Sequence, residues 1–457
     1  MKAVKKYGIS VTIFIIIVAA IMLRLYLYGD PQLSIGMGDT PSYIQSSRAP
    51  VLSWTSLTGR RLFTMNLVYH IFVKDPNNCP VPVMIDPSKQ RQASLELQSC
   101  FDKIALLQNL LSMLGWSFLA WEMSSRIKTS LYKILITIII LSFAMSPQIA
   151  EWDSILSSES LTLSLFVICL ALLIEIAFQL FECQNGNKRK IYILLAGWLI
   201  VFSLWIFVQD ADLYFVPITL ILLTPLIIRD RLKNKALLIA SLFMIGILVL
   251  GLISSANSTR WQPSIEHSYG KFIFPYLSRV NSIKALGAPD PNSPNFIQWF
   301  DKKAPSAYLL FLASHPGFVT SNAFEHMYMF TSDYLQPYFT DENAEFSSSL
   351  MIWGQIFHPV SSDVFLIDTL LLAFLCYTAL NNKERTTSIW AWIGAWLYVS
   401  SAAALFIRYF GDTESVLRHV FPAVEFFRLL LWILLIVQAD LLAMKNNQLD
   451  LQRSTQF

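Results

Sequence analysis

The chain is poor in charge. Of its 457 residues, 14% are charged, against roughly 25% in an ordinary soluble domain. Hydrophobic residues make up 54%, Phe alone contributes 32 positions, and the mean hydropathy is +0.50. A soluble fold of this length cannot hide that much apolar surface, so a bilayer must be the solvent for much of it. The net charge of +3 is too small to point to nucleic acid. The six histidines, His70, His267, His315, His326, His358 and His419, are scattered without metal-ligand spacing. No zinc site is therefore readable, and a divalent-metal requirement stays open. No Gly-rich loop precedes a helix, so an ATP or nucleotide-sugar site is not supported and no cofactor is evident. Low-complexity tracts, heptad runs and short repeats are also missing.

What the chain does have is apolar segments of spanning length. They lie at roughly 8–28, 101–121, 130–146, 161–181, 191–208, 212–228, 235–254, 364–381, 387–407 and 420–443, each near the ~20 residues a helix needs to cross. The expected fold class is an all-α polytopic membrane protein of about ten transmembrane helices. The first segment runs too long for a signal-peptide core and has no small-residue cleavage site after it, so it reads as a retained helix. The fifth and sixth segments, joined at Gln209–Asp212, are expected to form a tight hairpin.

Basic residues set the orientation. With the amino terminus inside, the inner segments carry Lys2, Lys5 and Lys6, then Arg126 and Lys128, then Lys188, Arg189 and Lys190. Arg229, Arg231, Lys233 and Lys235 follow, then Lys383 and Arg385, then Lys445 and Arg453. The short loops 147–160 and 209–211 carry none. The alternation predicts both termini in the cytoplasm and two long outer segments, 29–100 and 255–363. Three regions follow: a transmembrane module over 1–254 that includes the first outer loop, an outer loop or small domain over 255–363, and closing helices with a short tail over 364–457. Each outer segment holds an apolar run too short to span, Leu62–Val73 and Tyr308–Phe318, which is expected to lie in the interface. The second is broken at Pro316-Gly317. Cys79 and Cys100 share the first outer segment and either pair or stay as free thiols; Cys169, Cys183 and Cys376 lie in or near the membrane.

Polar residues gather at the outer helix ends. They include Gly38-Asp39-Thr40-Pro41-Ser42-Tyr43, Gly59-Arg60-Arg61, Glu151-Trp152-Asp153, Ser157-Ser158-Glu159-Ser160, Gln209-Asp210-Ala211-Asp212 and the stretch from Arg408 through Asp412 and Glu414 to Arg418-His419. Glu175 is the main charge expected within a span. This pattern fits a site at the water–lipid boundary, for a substrate that is part lipid and part polar. Outer carboxylates can act as bases, and arginines can hold a phosphate through paired N–H groups. Plainer readings stand beside these. Wet helix ends carry charge as a matter of course. Asp39 can simply cap the helical turn that starts at Pro41, with Pro at the first helical position. Glu159 can simply favour a helix dipole, and Arg60 can snorkel to headgroups.

These residues resemble the GT-C superfamily of polytopic glycosyltransferases, which use lipid-phosphate-linked sugars on the outer face. The resemblance rests on Asp39 with Tyr43, on Gly59-Arg60-Arg61 before an interfacial helix, on the opening Ser158-Glu159-Ser160-Leu161, and on the stretch from Asp412 to Pro422. It implies transfer of a sugar from a polyprenyl-phosphate donor to a hydroxyl on a glycan, lipid or protein acceptor, with inversion. Asp39 would be the general base, and Arg60, Arg61 or Arg418 would hold the leaving phosphate. Tyr43, Asp153, Glu159, Asp210, Glu414 and His419 are supporting candidates, with Asp153 the nearest match to a second acidic residue. The expected location is a bacterial inner (plasma) membrane, with the active site on the periplasmic face. A polymerase or ligase of lipid-linked glycans is the first alternative. It would depend on arginines in the large loop, where this chain has Arg260 and Arg279. A transporter or flippase would show midplane charges and inverted repeats, and neither is visible.

Overall fold

The computed structural model describes residues 2–73, 79, 100–182, 188–229, 235–334, 344–382 and 384–454. Cys183, Arg231, Lys233, Lys383 and most of the first outer loop beyond Val73 lie outside the described residues. The described chain is all-α. In order, it forms α1 (Lys2–Tyr28), α2 (Thr40–Ser46), α3 (Trp54–Thr58), α4 (Phe63–Phe72), α5 (Asp102–Arg126), α6 (Ser130–Met145) and α7 (Pro147–Ala150). Then come α8 (Ser158–Glu182), α9 (Lys188–Ile206), α10 (Phe215–Arg229) and α11 (Lys235–Ala256). The last group is α12 (Trp261–Ser268), α13 (Leu277–Ala285), α14 (Phe296–Ser314), α15 (Pro316–Glu325), α16 (Ala344–Phe357), α17 (Asp363–Asn382), α18 (Arg385–Gly411) and α19 (Val416–Ser454).

Each expected span is helical. Among the described residues, eight helices are long and apolar enough to cross a membrane on their own, and α6 with its bent continuation Pro147–Ser154 adds a ninth if that pair is one span. The tenth, α10, has 15 residues and so is only about 22 Å long. The chain is an all-α polytopic membrane protein. Its outermost faces are apolar: Phe14, Ile15 and Met22 on α1, and Ile239, Leu242 and Phe243 on α11, are exposed, as lipid contact requires. α8 forms the centre. Its Phe166 stacks on Phe426 of α19 with ring centroids 3.7 Å apart and meets Trp205 of α9 at 5.2 Å.

The expected α9–α10 hairpin is corrected. The connection is short, but α10 packs on α18 and α11. Two indole N–H groups of α18 draw it there: Trp396 donates to Thr219 Oγ1 at 2.9 Å and Trp392 to the Leu222 carbonyl at 3.0 Å. In an apolar setting such bonds outweigh sequence proximity.

Glu175 lies within the apolar span of α8, as expected, and pairs with Arg126 and Lys190. Further buried charges occur at Arg24, Asp368, Glu425 and Arg428 on long helices. Arg428 is held by Glu425 and Asp333, each at 2.6 Å, and Glu425 holds His358 at 2.5 Å. A paired charge disappears in the average of an apolar window, which is why the sequence pattern missed it.

Residues 261–330 build a second apolar core on the ends of α18 and α19. Tyr269, Phe272, Phe300, Tyr308 and Phe311 pack there with Phe410 and Val420. Burying each such ring contributes about 1.5–3 kcal/mol. The run Tyr308–Phe318 divides between α14 and α15, broken at Pro316 as expected. The run Leu62–Val73 forms α4, which packs on α2 and α5 with Tyr69 fully buried. Cys79 and Cys100 are joined as a disulfide.

Candidate active site

Three local features bring the site together. The first is the turn ahead of α2. A backbone strap runs from Ile35 N–H to the Ser154 carbonyl and from Leu156 N–H to the Ile35 carbonyl, both at 2.8 Å. Thr40 Oγ1 adds a bond to the Leu156 carbonyl at 2.8 Å. These bonds fix the turn against the chain just before α8, and Pro41 starts the helix with its φ already set. The second feature is Gly59. A Cβ there would stand 2.6 Å from the Thr55 carbonyl, so only glycine lets the chain turn so closely toward Arg60-Arg61. The third is the reversal between α18 and α19, where Ser415 takes φ +48 and aims the first turn of α19 back at α8.

The result is a ladder of alternating charge. Arg61 Nη2 meets Asp39 Oδ1 at 2.5 Å, and Arg418 Nη2 pairs with Asp39 Oδ2. Arg418 Nε meets Glu159 Oε1 at 2.7 Å, and Arg61 Nε donates to Ser42 Oγ at 2.6 Å. The Arg61 guanidinium lies over the Tyr43 ring, 4.5 Å from its centre. Exposure grades along the ladder: 2% for the Glu159 side chain, 11% for Arg418, 23% for Arg61 and 28% for Asp39. The open end is therefore the Asp39–Arg61 end.

Asp39 occupies the N-cap position of α2, yet its side chain makes no cap bond. The carboxylate turns to the two arginines instead. Burial pushes its pKa up, but Arg418 and Arg61 outweigh burial and hold it at about 2. Partial burial opposes the charge of Arg61, but the neighbouring Tyr43 and Asp39 raise its pKa further. Asp30, the other carboxylate of this loop, is exposed and accepts the Gln32 N–H at 2.9 Å.

The remaining candidates fall elsewhere. Arg60 is exposed, with no ion pair among the described residues. Asp153 is buried and pairs with Arg24 of α1 and with Ser160 at 2.6 Å. It therefore ties α1 to the chain ahead of α8. Asp210 pairs with Arg260 at 2.8 Å. Glu414 and Asp412 flank His267 at 3.1 and 3.2 Å, and His419 approaches Asp412 at 3.7 Å. Asp212 and Arg408 form a further buried pair at 2.5 Å, linked through Gln209 to Ser158 beside Glu159. Sequence reasoning missed the anchoring part of Ser42. Its signal was the spacing: three residues after Asp39 on a helical turn puts Ser42 beside the carboxylate's own loop. Among the described residues, no group of three or more His, Cys, Asp or Glu is arranged to hold a metal ion.

The chain is similar to archaeal oligosaccharyltransferase structures. One is AglB from Archaeoglobus fulgidus, solved with an inhibitory peptide and a dolichol-phosphate; its TM-score is 0.47 at 11% identity, covering 99% of this chain and 52% of that one. Another is the Archaeoglobus fulgidus oligosaccharyltransferase with Zn and sulfate, with a TM-score of 0.43 at 10% identity, covering 91% and 48%. A third is that enzyme tethered to an acceptor peptide containing the NVT sequon, with a TM-score of 0.42 at 12% identity, covering 92% and 49%. The chain spans about half the length of these proteins. No protein-family model and no curated protein matches it.

Proposed function

We propose that the chain is a membrane glycosyltransferase of the GT-C kind. It moves a sugar from a polyprenyl-phosphate donor to a hydroxyl acceptor at the outer face of the membrane. One observation carries the reading: a part-exposed carboxylate bridged by two arginines that come from opposite ends of the chain. It supports the reading because a carboxylate suited to act as base and two arginines suited to cradle a phosphate lie within one side chain's reach of each other.

The chemistry balances on these groups. The acceptor oxygen attacks the anomeric carbon from the face opposite the phosphate, so the configuration inverts. The carbon–oxygen bond to phosphate breaks, and its electron pair leaves with the polyprenyl phosphate. That group gains one negative charge, which Arg61 and Arg418 offset. Asp39 takes the acceptor's proton.

The alternative as a glycan polymerase or ligase has less support. Arg260 is occupied by Asp210 and by the Ser254 hydroxyl at 3.1 Å. Arg279 lies 3.8 Å from the Tyr276 ring centre and donates to the Phe272 carbonyl at 2.8 Å. Both loop arginines serve the local fold.

A transfer assay tests the proposal. Full-length protein in liposomes is expected to release polyprenyl phosphate and glycosylate an acceptor when given polyprenyl-phosphate sugars. Turnover from a nucleotide sugar, in liposomes free of polyprenyl phosphate, would rule the reading out. The orientation is tested separately. With the ladder outside and both termini inside, a Lys188→Cys variant in intact cells should resist a membrane-impermeant maleimide. Labelling from outside would invert the topology.

A further inference from the structure

We propose that the Asp39 carboxylate occupies the anion site of the donor phosphate, and that the phosphate displaces it and so frees the base. The inference rests on the phosphate-donor reading above.

The geometry is a two-pronged cradle. Arg61 is fixed through Nε to Ser42 Oγ, and Arg418 through Nε to Glu159 Oε1. Each then offers its Nη2 to a different oxygen of one carboxylate. A phosphodiester presents the same feature, two equivalent anionic oxygens on one centre. Neither anchor involves the Asp39 side chain. The forks therefore keep their places when the anion between them changes.

Charge decides which group leaves. Two arginines balance Asp39 and Glu159. A phosphodiester adds one negative charge, and three anions cannot share two cations at close range without cost. Glu159 is almost fully buried and would have to move through packed helix ends, whereas Asp39 is 28% exposed and sits on a turn. Asp39 is the group free to swing out. Clamped between two guanidiniums it is too weak a base for proton transfer near neutral pH. Released, its basicity climbs back toward the ordinary carboxylate range. The base is thus strengthened only when donor is in place. After transfer, loss of the proton and of the polyprenyl phosphate lets the carboxylate close the cradle again.

The test uses full-length protein in detergent and farnesyl methyl phosphate, a phosphodiester with one fixed negative charge, followed by calorimetry. Asp39→Asn removes the competing anion, so the variant is expected to bind the diester about 10–100-fold more tightly than wild type, the scale of losing a charged hydrogen-bond competitor. Equal or weaker binding by a folded Asp39→Asn protein overturns the inference. A structure of wild type with the diester gives a second route that needs no variant. Phosphate oxygens on both Nη2 atoms, with Asp39 off at least one guanidinium, support the inference. Asp39 still bridging both arginines beside bound diester overturns it. The phosphate reading fails in a different way: Arg61→Ala then binds the diester as wild type does, or no protein binds it at all.

Discussion

Asp39→Asn is expected to lower sugar transfer by about 10²–10⁴-fold, the usual range for removing a general base. Expression and detergent stability should stay near wild type. Asn is as good an N-cap as Asp, and the native side chain makes no cap bond to lose. The lost ion pairs are part-exposed, so their contribution to stability is modest. Their pH dependence has a definite sign. Asp39 has a folded pKa below its unfolded value, so its stabilisation is present above roughly pH 4. It is lost only as pH falls toward about 2. The stability gap between wild type and variant should therefore be flat between about pH 5 and 8. Asp30→Asn is the matched control, since Asp30 only accepts a local backbone N–H, and it should change little. Transfer by Asp39→Asn within a few-fold of wild type would remove Asp39 from the chemistry. A dead Asp30→Asn would move the base to the other carboxylate of the same loop.

The ladder was partly legible from residues alone. Chain direction and basic-residue alternation predict Asp39, Arg61 and Arg418 at one membrane face, and in the structure the three side chains meet. The roles were less legible. The Asp-Thr-Pro turn reads equally well as a capped helix, and only the direction of the carboxylate separates the two readings. Glu159 reads as a favourable charge in the first turn of α8, because nothing local reveals that Arg418, 259 positions away, closes on it. Asp153 illustrates the same limit in reverse: its partner, Arg24, is hidden inside an apolar helix. Hydropathy reports the average of a window, while ion pairs between helices depend on which faces meet. The α9–α10 hairpin went wrong on the same ground, through two indole N–H bonds that no periodicity encodes.

The two arginines should differ in how they fail. Arg61→Ala removes one prong and leaves behind Ser42, the Tyr43 face and Asp39, whose carboxylate is part-exposed and keeps its pairing to Arg418. It is expected to lower kcat by about 10²–10³-fold, the scale of one lost donor to a developing anion, with little change in melting temperature. Arg418→Ala should be worse on both counts. It strips the same kind of donor and also leaves Glu159 buried and unpaired, and breaking a buried pair from one side costs about 3–5 kcal/mol. That cost confounds a single-variant reading, so the decisive protein is the double variant Arg418→Ala with Glu159→Gln. Removing the stranded charge should restore much of the lost stability while transfer stays low, because the phosphate still lacks its second prong. Three measurements separate the roles: melting temperature in detergent, donor KM and kcat. Recovery of transfer in the double variant would mean that Arg418 serves only to neutralise Glu159. Loss of stability that the double variant does not repair would mean that Arg418 is chiefly a tie between α19 and α8. Wild-type kcat and donor KM in Arg61→Ala would place the phosphate away from this ladder.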